Sequence, residues 1–589
     1  KSEFAERNFQ PLGYQRPERL NKIADTLAFK MEQMQDEYCI KHQHKATNAD
    51  TARAVVSELY QAQIKLCDGY HINAPYAKKG RKGRLTVEEL QTGFLKLACP
   101  TFWFNKLKRA AIRMKEHLAI AVGMVSIATG GYVSCERLSA FEAQRKANYE
   151  FIKNSIITNL LDEEEQTELL DIWLKSSSNP KKRRIELMTR MNGFDQIAEH
   201  NGDEGLFITL TAPSKYHAML ENGGVNPKWN GASPNQTQQY LCGVWAKIRA
   251  ELNRQHIKTY GFRVAEPHHD ATPHWHFLLY ARPEHIRALK RVFWHYALEE
   301  DGTEKGARKH RCTFKTIDRK KGSGAAYLAK YVSKNVDGYG MDGLKSDETG
   351  NDSKLSALRA LAWASTWGIR QFQQIGGASV GVWREARKLG DIVQDDEIID
   401  ILRIIADLGD WAAYTVYQGG ALALRKDLKA RLHYAVYGEN KYKETRKKVN
   451  GITNQLNGTI TETRLKEWVI SRKPANWDEL KQQRLFGING QSATAEHSEA
   501  EIGGNAALGL VSVTVPVQKT NKSSDIDPRI RERIKNQLIL IRGRATEYQI
   551  DDLLNGKHLP IYSNEQIGIY LRYSRGQLIE EKIPKTHFH

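Results

Sequence analysis

Between Tyr260 and Tyr280 the sequence runs Y-G-F-R-V-A-E-P-H-H-D-A-T-P-H-W-H-F-L-L-Y. Two apolar and aromatic runs flank a proline-bounded turn, the pattern of two strands joined as a hairpin. Side chains alternate across a strand, so His274 and His276 share one face, while Trp275 and Phe277 point the other way, towards a core. With Glu266 paired opposite His274, the carboxylate lies beside both imidazoles, because directly opposite side chains stand roughly 5 Å apart. Two imidazoles and one carboxylate can hold a divalent metal and leave positions open for a substrate. The bland reading of His-x-His on a strand is a pair of surface histidines. The hairpin by itself does not separate the two.

Downstream, Gly322 to Asn335 reads G-S-G-A-A-Y-L-A-K-Y-V-S-K-N. Its Ala, Leu and Lys content predicts a helix. Tyr327 and Tyr331 stand four apart and share a face, with Lys330 and Lys334 on an adjacent one. Alone, this is an amphipathic helix with half-buried tyrosines. Beside a metal site it has another use. A tyrosine oxygen can attack a DNA phosphate that a metal polarises, and two tyrosines on one face allow two attacks in turn. Arg319, Lys320 and Lys321, with Gly322 and Gly324, form a basic and flexible lead into this helix. Together with Lys330 and Lys334 they are the candidate DNA contacts.

P-H-W-H-F-L-L followed by Y-L-A-K-Y-V-S-K-N resembles the HUH endonuclease superfamily, named for its His-hydrophobe-His motif. More narrowly, the chain resembles the replication gene A proteins of tailed bacteriophages, which start rolling-circle replication. Asn179 to Arg184 (N-P-K-K-R-R), Phe207 to His217 (F-I-T-L-T-A-P-S-K-Y-H) and Gln371 to Leu389 carry the match as well. It is strong from about 100 to 390 and thin on both sides.

The resemblance implies an α+β fold. A central HUH-type antiparallel sheet is flanked by helices, with helical N-terminal and C-terminal regions. The metal-bearing strand is central and the tyrosine helix packs beside it. The implied activity is a site- and strand-specific nick at the phage replication origin through a 5′-phosphotyrosine. Tyr327 and Tyr331 are the nucleophiles, and His274, His276 and Glu266 hold Mg²⁺ or Mn²⁺. The freed 3′-OH primes a host polymerase, a host helicase separates the strands, and the second tyrosine serves to rejoin the displaced strand. The DNA partner is single-stranded or supercoiled origin DNA. Glu266 is the least fixed of the ligands, since His268, His269 and Asp270 lie in the same turn. Two alternatives stay open. One is a conjugative-type relaxase. The other is a non-catalytic DNA-binding protein whose four histidines (268, 269, 274 and 276) hold a structural zinc.

Composition agrees with a nucleic-acid partner. Lys plus Arg number 88 against 69 Asp plus Glu, a net charge of +19, which suits a polyanion. Six scattered cysteines with no C-x-x-C argue against a disulfide scaffold and fit a reducing cytoplasm, here that of a bacterial host. The start, K-S-E-F-A-E-R, has no apolar stretch for a signal peptide and no Met, as in a processed or trimmed chain. The apolar run Leu118 to Ala128 is too short to span a bilayer, so no membrane partner is expected. No G-x-x-x-x-G-K-[ST] is present, which argues against an intrinsic ATP-driven helicase.

A chain of 589 residues is too long for one core. Residues 1–200 read as helical, with basic runs at Lys78 to Arg84 and Lys181 to Arg184 available to phosphate. Residues 201–340 alternate strand, helix, strand, strand, helix, strand, helix, and form the expected catalytic domain. Residues 354–440 read as a helical domain packed on it, after an exposed loop from Asp337 to Ser353. Residues 441–486 read as a basic helical or linker region and 487–527 as a flexible linker. The last part, 528–589, is a small unit with no functional reading.

Overall fold

A five-stranded antiparallel sheet lies at the centre of the computed structural model. The structure describes residues 15–70, 72–340, 352–390 and 394–488, together with three short strands after residue 558. In chain order the strands are β1 (Ser155–Asn159), β2 (Asp162–Glu168), β3 (Glu204–Leu210), β4 (Tyr260–Pro267), β5 (Pro273–Ala281), β6 (Cys312–Thr316), β7 (Phe372–Ile375), β8 (Ala430–Glu439), β9 (Thr445–Asn454), β10 (Ile460–Glu462) and β11 (Trp468–Arg472). The central sheet has the order β6-β3-β5-β4-β7, so β5 is its middle strand.

Both faces of this sheet are covered, and the period-two alternation of each strand feeds two different cores. On one face Leu206, Ile208, Leu210, Trp275, Phe277 and Leu279 pack under the helices Pro234–Arg254 and Pro283–Ala297. On the other, Phe262, Val264, Leu278 and Tyr280 pack under Pro180–Asn201 and Gly324–Val336. The long helix Pro234–Arg254 begins where its sequence says it should. Ser233 caps it by accepting from the Gln236 amide, and Pro234 fills the first turn.

The tyrosine helix Gly324–Val336 is pinned at both ends. Ser323 caps its start by accepting from the Ala326 amide at 3.1 Å. Gly324 sits against the Tyr280 hydroxyl, where a Cβ would collide, and that hydroxyl donates to Asp195 at 2.9 Å. Just past the other end, Asp337 pairs with Arg184 at 2.8 Å. Both anchors lie on Pro180–Asn201, so the two helices hold their spacing together.

The α+β expectation is met, and the strand and helix order over 201–340 appears as expected, with a short turn of helix at Ala307–His310 added. Three expectations are corrected. The N-terminal 200 residues are not all helical: β1 and β2 form a hairpin there. β1 is five residues long and β2 reads D-E-E-E-Q-T-E, so neither carries an apolar pattern, and the outer partner of β1 is β11, about three hundred residues later. Residues 354–440 are not purely helical either. β7 adds the fifth strand to the central sheet by pairing with β4, which carries that sheet past the expected end at 340. Residues 441–486 hold β9, β10 and β11 and the start of the helix Trp477–Ile488. In β9 the first residues, T-R-K-K, are exposed or half-exposed and only the later ones are buried, which hides a strand inside a basic run.

Four N-terminal helices, Pro17–His42, Ala49–Gly69, Val87–Leu97 and Pro100–Ala121, build a third core. Of the expected Asp337 to Ser353 loop, residues 341–351 lie outside the described residues, as does nearly all of the expected linker at 487–527. Most of the expected unit at 528–589 also lies outside them; its three short strands, Leu559–Pro560, Ile569–Ser574 and Gln577–Lys582, pair antiparallel. Among the described residues, no helix is long and apolar enough to cross a membrane.

Candidate active site

The hairpin register places Glu266 directly opposite His274, and Val264 opposite His276. Trp275 and Phe277 go to the opposite core, so the two imidazoles emerge on the face that the tyrosine helix covers. Their Nε2 atoms lie 2.9 Å apart, and His276 Nε2 is 3.6 Å from Glu266 Oε2. One ligand atom from each of Glu266, His274 and His276 lies within 4.8 Å of the others, and all three residues are buried. Among the described residues, no other group of His, Cys, Asp and Glu has this spacing.

The electrostatics fit a cation. Burial, reinforced by His268, His276 and Lys334, pushes His274 far below the usual imidazole range, which leaves a neutral ring with a lone pair to give. Burial alone would push the Glu266 carboxyl up. Lys334, His276 and Asn335 together outweigh it, and the carboxyl is held down to about 2. The nitrogen of Lys334 is 3.4 Å from Glu266 Oε2, and the Asn335 amide donates to the other oxygen. Gln371 in turn donates to Asn335 at 2.9 Å. Thr209 of β3 lies 3.0 Å from His276 Nδ1 and fixes that ring from behind, the outer-shell arrangement that ligating histidines ordinarily need. Two imidazoles, one of them held by Thr209, and an ionised carboxylate make a donor set that could hold a divalent cation.

Tyr331 completes the site. Its ring centroid lies 4.4 Å from that of His276 and 5.5 Å from Phe207, on which it stacks. Tyr327, one turn earlier, is half-buried, with Lys315 of the edge strand β6 4.8 Å above its ring. The two tyrosines therefore share a helix face, but Tyr331 is the one seated on a histidine of the pair. The other candidate DNA contacts diverge. Lys334 is buried against Glu266, inside the site instead of beside Lys330 on an outer face. Lys330, Lys320 and Lys321 are exposed. Arg319 is 3.5 Å from Asp195.

The turn residues do not join the donor group. His268 packs against His274, its ring tilted, with ring centroids 3.9 Å apart. Its own ring is pushed down to about 3, by burial first and then by His217. Asp270 is buried and pairs with His217 at 3.3 Å. His269 lies 3.2 Å from the Leu220 carbonyl. Sequence reasoning missed four participants: Thr209, Asn335, Gln371 and Tyr132. Tyr132 is fully buried with a left-handed φ of 68°. Its amide donates to the His269 carbonyl at 3.2 Å, and Lys334 lies 5.6 Å over its ring. Thr209 was legible, since β3 alternation puts it on the histidine face. Tyr132 follows two glycines far upstream and carried no signal.

Residues 18–339 match the family model described as bacteriophage replication gene A protein. The chain is 44% identical over 420 residues to the replication protein of Haemophilus phage HP1, covering 70% of this chain and 53% of that protein. It is 40% identical over 416 residues to the replication gene A protein of Escherichia phage 186, covering 69% and 60%. A probable replication endonuclease from a prophage-like region of Shigella boydii is 32% identical over 467 residues, covering 77% and 56%. The chain thus spans about half to three fifths of the length of these relatives. No solved structure matches it.

Proposed function

From the premise that this chain belongs to the bacteriophage replication gene A protein family, we propose that it is a metal-dependent DNA nicking and joining enzyme of the HUH type that initiates rolling-circle replication. Its substrate is origin DNA, single-stranded or supercoiled. A host helicase and polymerase extend the product. The observation that carries this reading is the Tyr331 ring seated 4.4 Å from His276, within a group of three converging metal donors.

Mg²⁺ or Mn²⁺ held by His274, His276 and Glu266 would polarise the scissile phosphate and offset the charge that develops on it. The chain's own groups do the rest. Tyr331 attacks phosphorus through its phenolic oxygen, forming a bond to the 5′ phosphate as the bond to the 3′ oxygen breaks. The proton lost by the phenol is matched by the one gained at the new 3′-OH. Bond energy is conserved in the phosphotyrosine, so the strand can be rejoined without another energy source. Phe207 and His276 hold the Tyr331 ring, and Lys334 and Asn335 hold the carboxylate. Tyr327, on the same helical face about 6 Å away by helix geometry, is the second nucleophile, cutting after one round so that the released 3′-OH can attack the first phosphotyrosine.

The structural-zinc reading gains no support, because His268 and His269 stand outside the donor group and a structural site has no use for Tyr331. The test is to incubate the protein with origin DNA and Mn²⁺, denature it, and map the peptide that carries nucleotide. Adduct on Gly324–Val336 is expected, first on Tyr331. Adduct elsewhere, or none with any divalent metal, refutes the reading.

A further inference from the structure

Away from the metal donors, a cavity of about 680 Å³ opens between helix Cys135–Lys153, helix Leu169–Lys175, β11 and the last residue of the tyrosine helix, Val336. Its volume falls in the range of small-ligand pockets, about 300–1,000 Å³. Its walls combine two chemistries. Phe141, Tyr149 and Trp173 supply aromatic surface, and Arg145, Lys146 and Arg183 supply positive charge against the single acid Glu142. Tyr149 and Trp173 meet edge to face at 6.1 Å, and the Arg145 guanidinium lies 5.9 Å over Phe141. This is not ordinary core packing, since Tyr149 remains 44% exposed.

We propose that this cavity seats an unpaired base of the DNA strand whose phosphate is held at the tyrosine site, an inference that rests on the nicking reading above. Aromatic faces stack on any base, and a basic rim follows the backbone, the combination that single-strand binding requires. The charge excludes an apolar peptide as the better fit: three cations beside aromatic rings suit a polyanion whose bases are exposed. Position agrees. Val336 is five residues past Tyr331, about 7.5 Å along the helix axis, so one strand can reach both sites. The basic run 181–184 adjoins the same end of the helix, where Arg184 lies 3.7 Å over the Tyr339 ring.

The probe is a short fluorescein-labelled oligothymidylate, its affinity for the full chain measured by anisotropy without metal. Trp173→Ala and Tyr149→Ala should each weaken binding about 5- to 160-fold, the span seen for loss of one stacked base. Arg145→Glu, at an exposed position, should weaken it also and keeps the test decisive if an aromatic variant fails to fold. Iododeoxyuridine in the oligonucleotide should photocrosslink to a peptide within 141–153 or 169–175. Unchanged affinity in the folded variants, with crosslinks only elsewhere, overturns the proposal. Adduct formation on origin DNA is scored separately. Adduct with unchanged oligonucleotide affinity removes the cavity alone, whereas lost affinity without any adduct keeps the cavity and removes the nicking reading.

Discussion

Tyr331 and Tyr327 look equivalent in sequence, yet their neighbours differ, and that difference is testable. Tyr331 touches His276 and Phe207, while Tyr327 lies under Lys315. Tyr331→Phe is therefore expected to abolish first-round adduct on a cleavable oligonucleotide, and Tyr327→Phe to retain it but release no rejoined circles. Equal loss in both variants, on denaturing gels, would break the assignment of order. Thr209 offers a second check. Thr209→Val keeps the shape but removes the partner of His276 Nδ1, and should weaken Mn²⁺ binding about 10- to 100-fold, as loss of an outer-shell partner does. Calorimetric titration with Mn²⁺ measures it, and an unchanged affinity would mean that Thr209 does not orient the ring. The Glu266–His274 register could be read in advance because the turn is short and proline-bounded. The partner of Glu266 could not. Lys334 is three residues beyond Tyr331 and so follows the tyrosine face of the helix, a placement that i,i+4 pairing with Lys330 obscured.

At the scale of elements, the tyrosine helix is tied to the hairpin of Glu266, His274 and His276 by Lys334 and Asn335. Lys334→Met should leave Glu266 as an uncompensated buried charge, a destabilisation of about 3–5 kcal/mol. A divalent ion replaces the lost positive charge, so Mn²⁺ should raise the Tm of the variant by more than that of the parent. Equal shifts in a thermal melt would show that the ion binds elsewhere. Glu462 of β10 gives a pH test. Burial pushes its carboxyl up to about 7, although Asn450 donates to it. The unfolded carboxyl ionises near pH 4.3, so the folded state loses stability as pH rises from that value to about 7. Glu462→Gln cannot ionise and should melt higher than the parent at about pH 8, and alike below about pH 4. A constant difference at both pH values would assign the effect to packing. Strands of this kind were hard to foresee. β7 has four residues, and β9 exposes its basic half, so neither carries the alternation that marked β3, β4 and β5.

Across the whole molecule, segments remote in sequence complete one another. β1 is sandwiched between β2 and β11, and β8 pairs with β9. A fragment ending at residue 440 would lose β9, β10 and β11 and leave β1 and β8 with open edges. Such edges recruit other chains, so this fragment should elute as aggregate on size exclusion, while one ending at residue 488 stays monodisperse. A monodisperse shorter fragment would show that the small sheets are dispensable. This long-range closure is what sequence reading could least supply. A hairpin declares itself through its turn, whereas the partners β1 and β11 share no local signal across about three hundred residues.

The β1–β11 pairing also sets a timetable. At a synthesis rate of about 5–20 residues per second, β1 leaves the ribosome roughly 15–60 s before its outer partner. The metal-donor hairpin, the tyrosine helix and β7 all emerge within that interval. The elements that carry Glu266, His274, His276 and Tyr331 are therefore all out of the ribosome for about 5–20 s while the acidic hairpin and its exposed Leu160 and Leu161 wait for β11. Slow codons ahead of β11 would lengthen that wait, and the yield of intact protein should track the speed of translation across that one stretch.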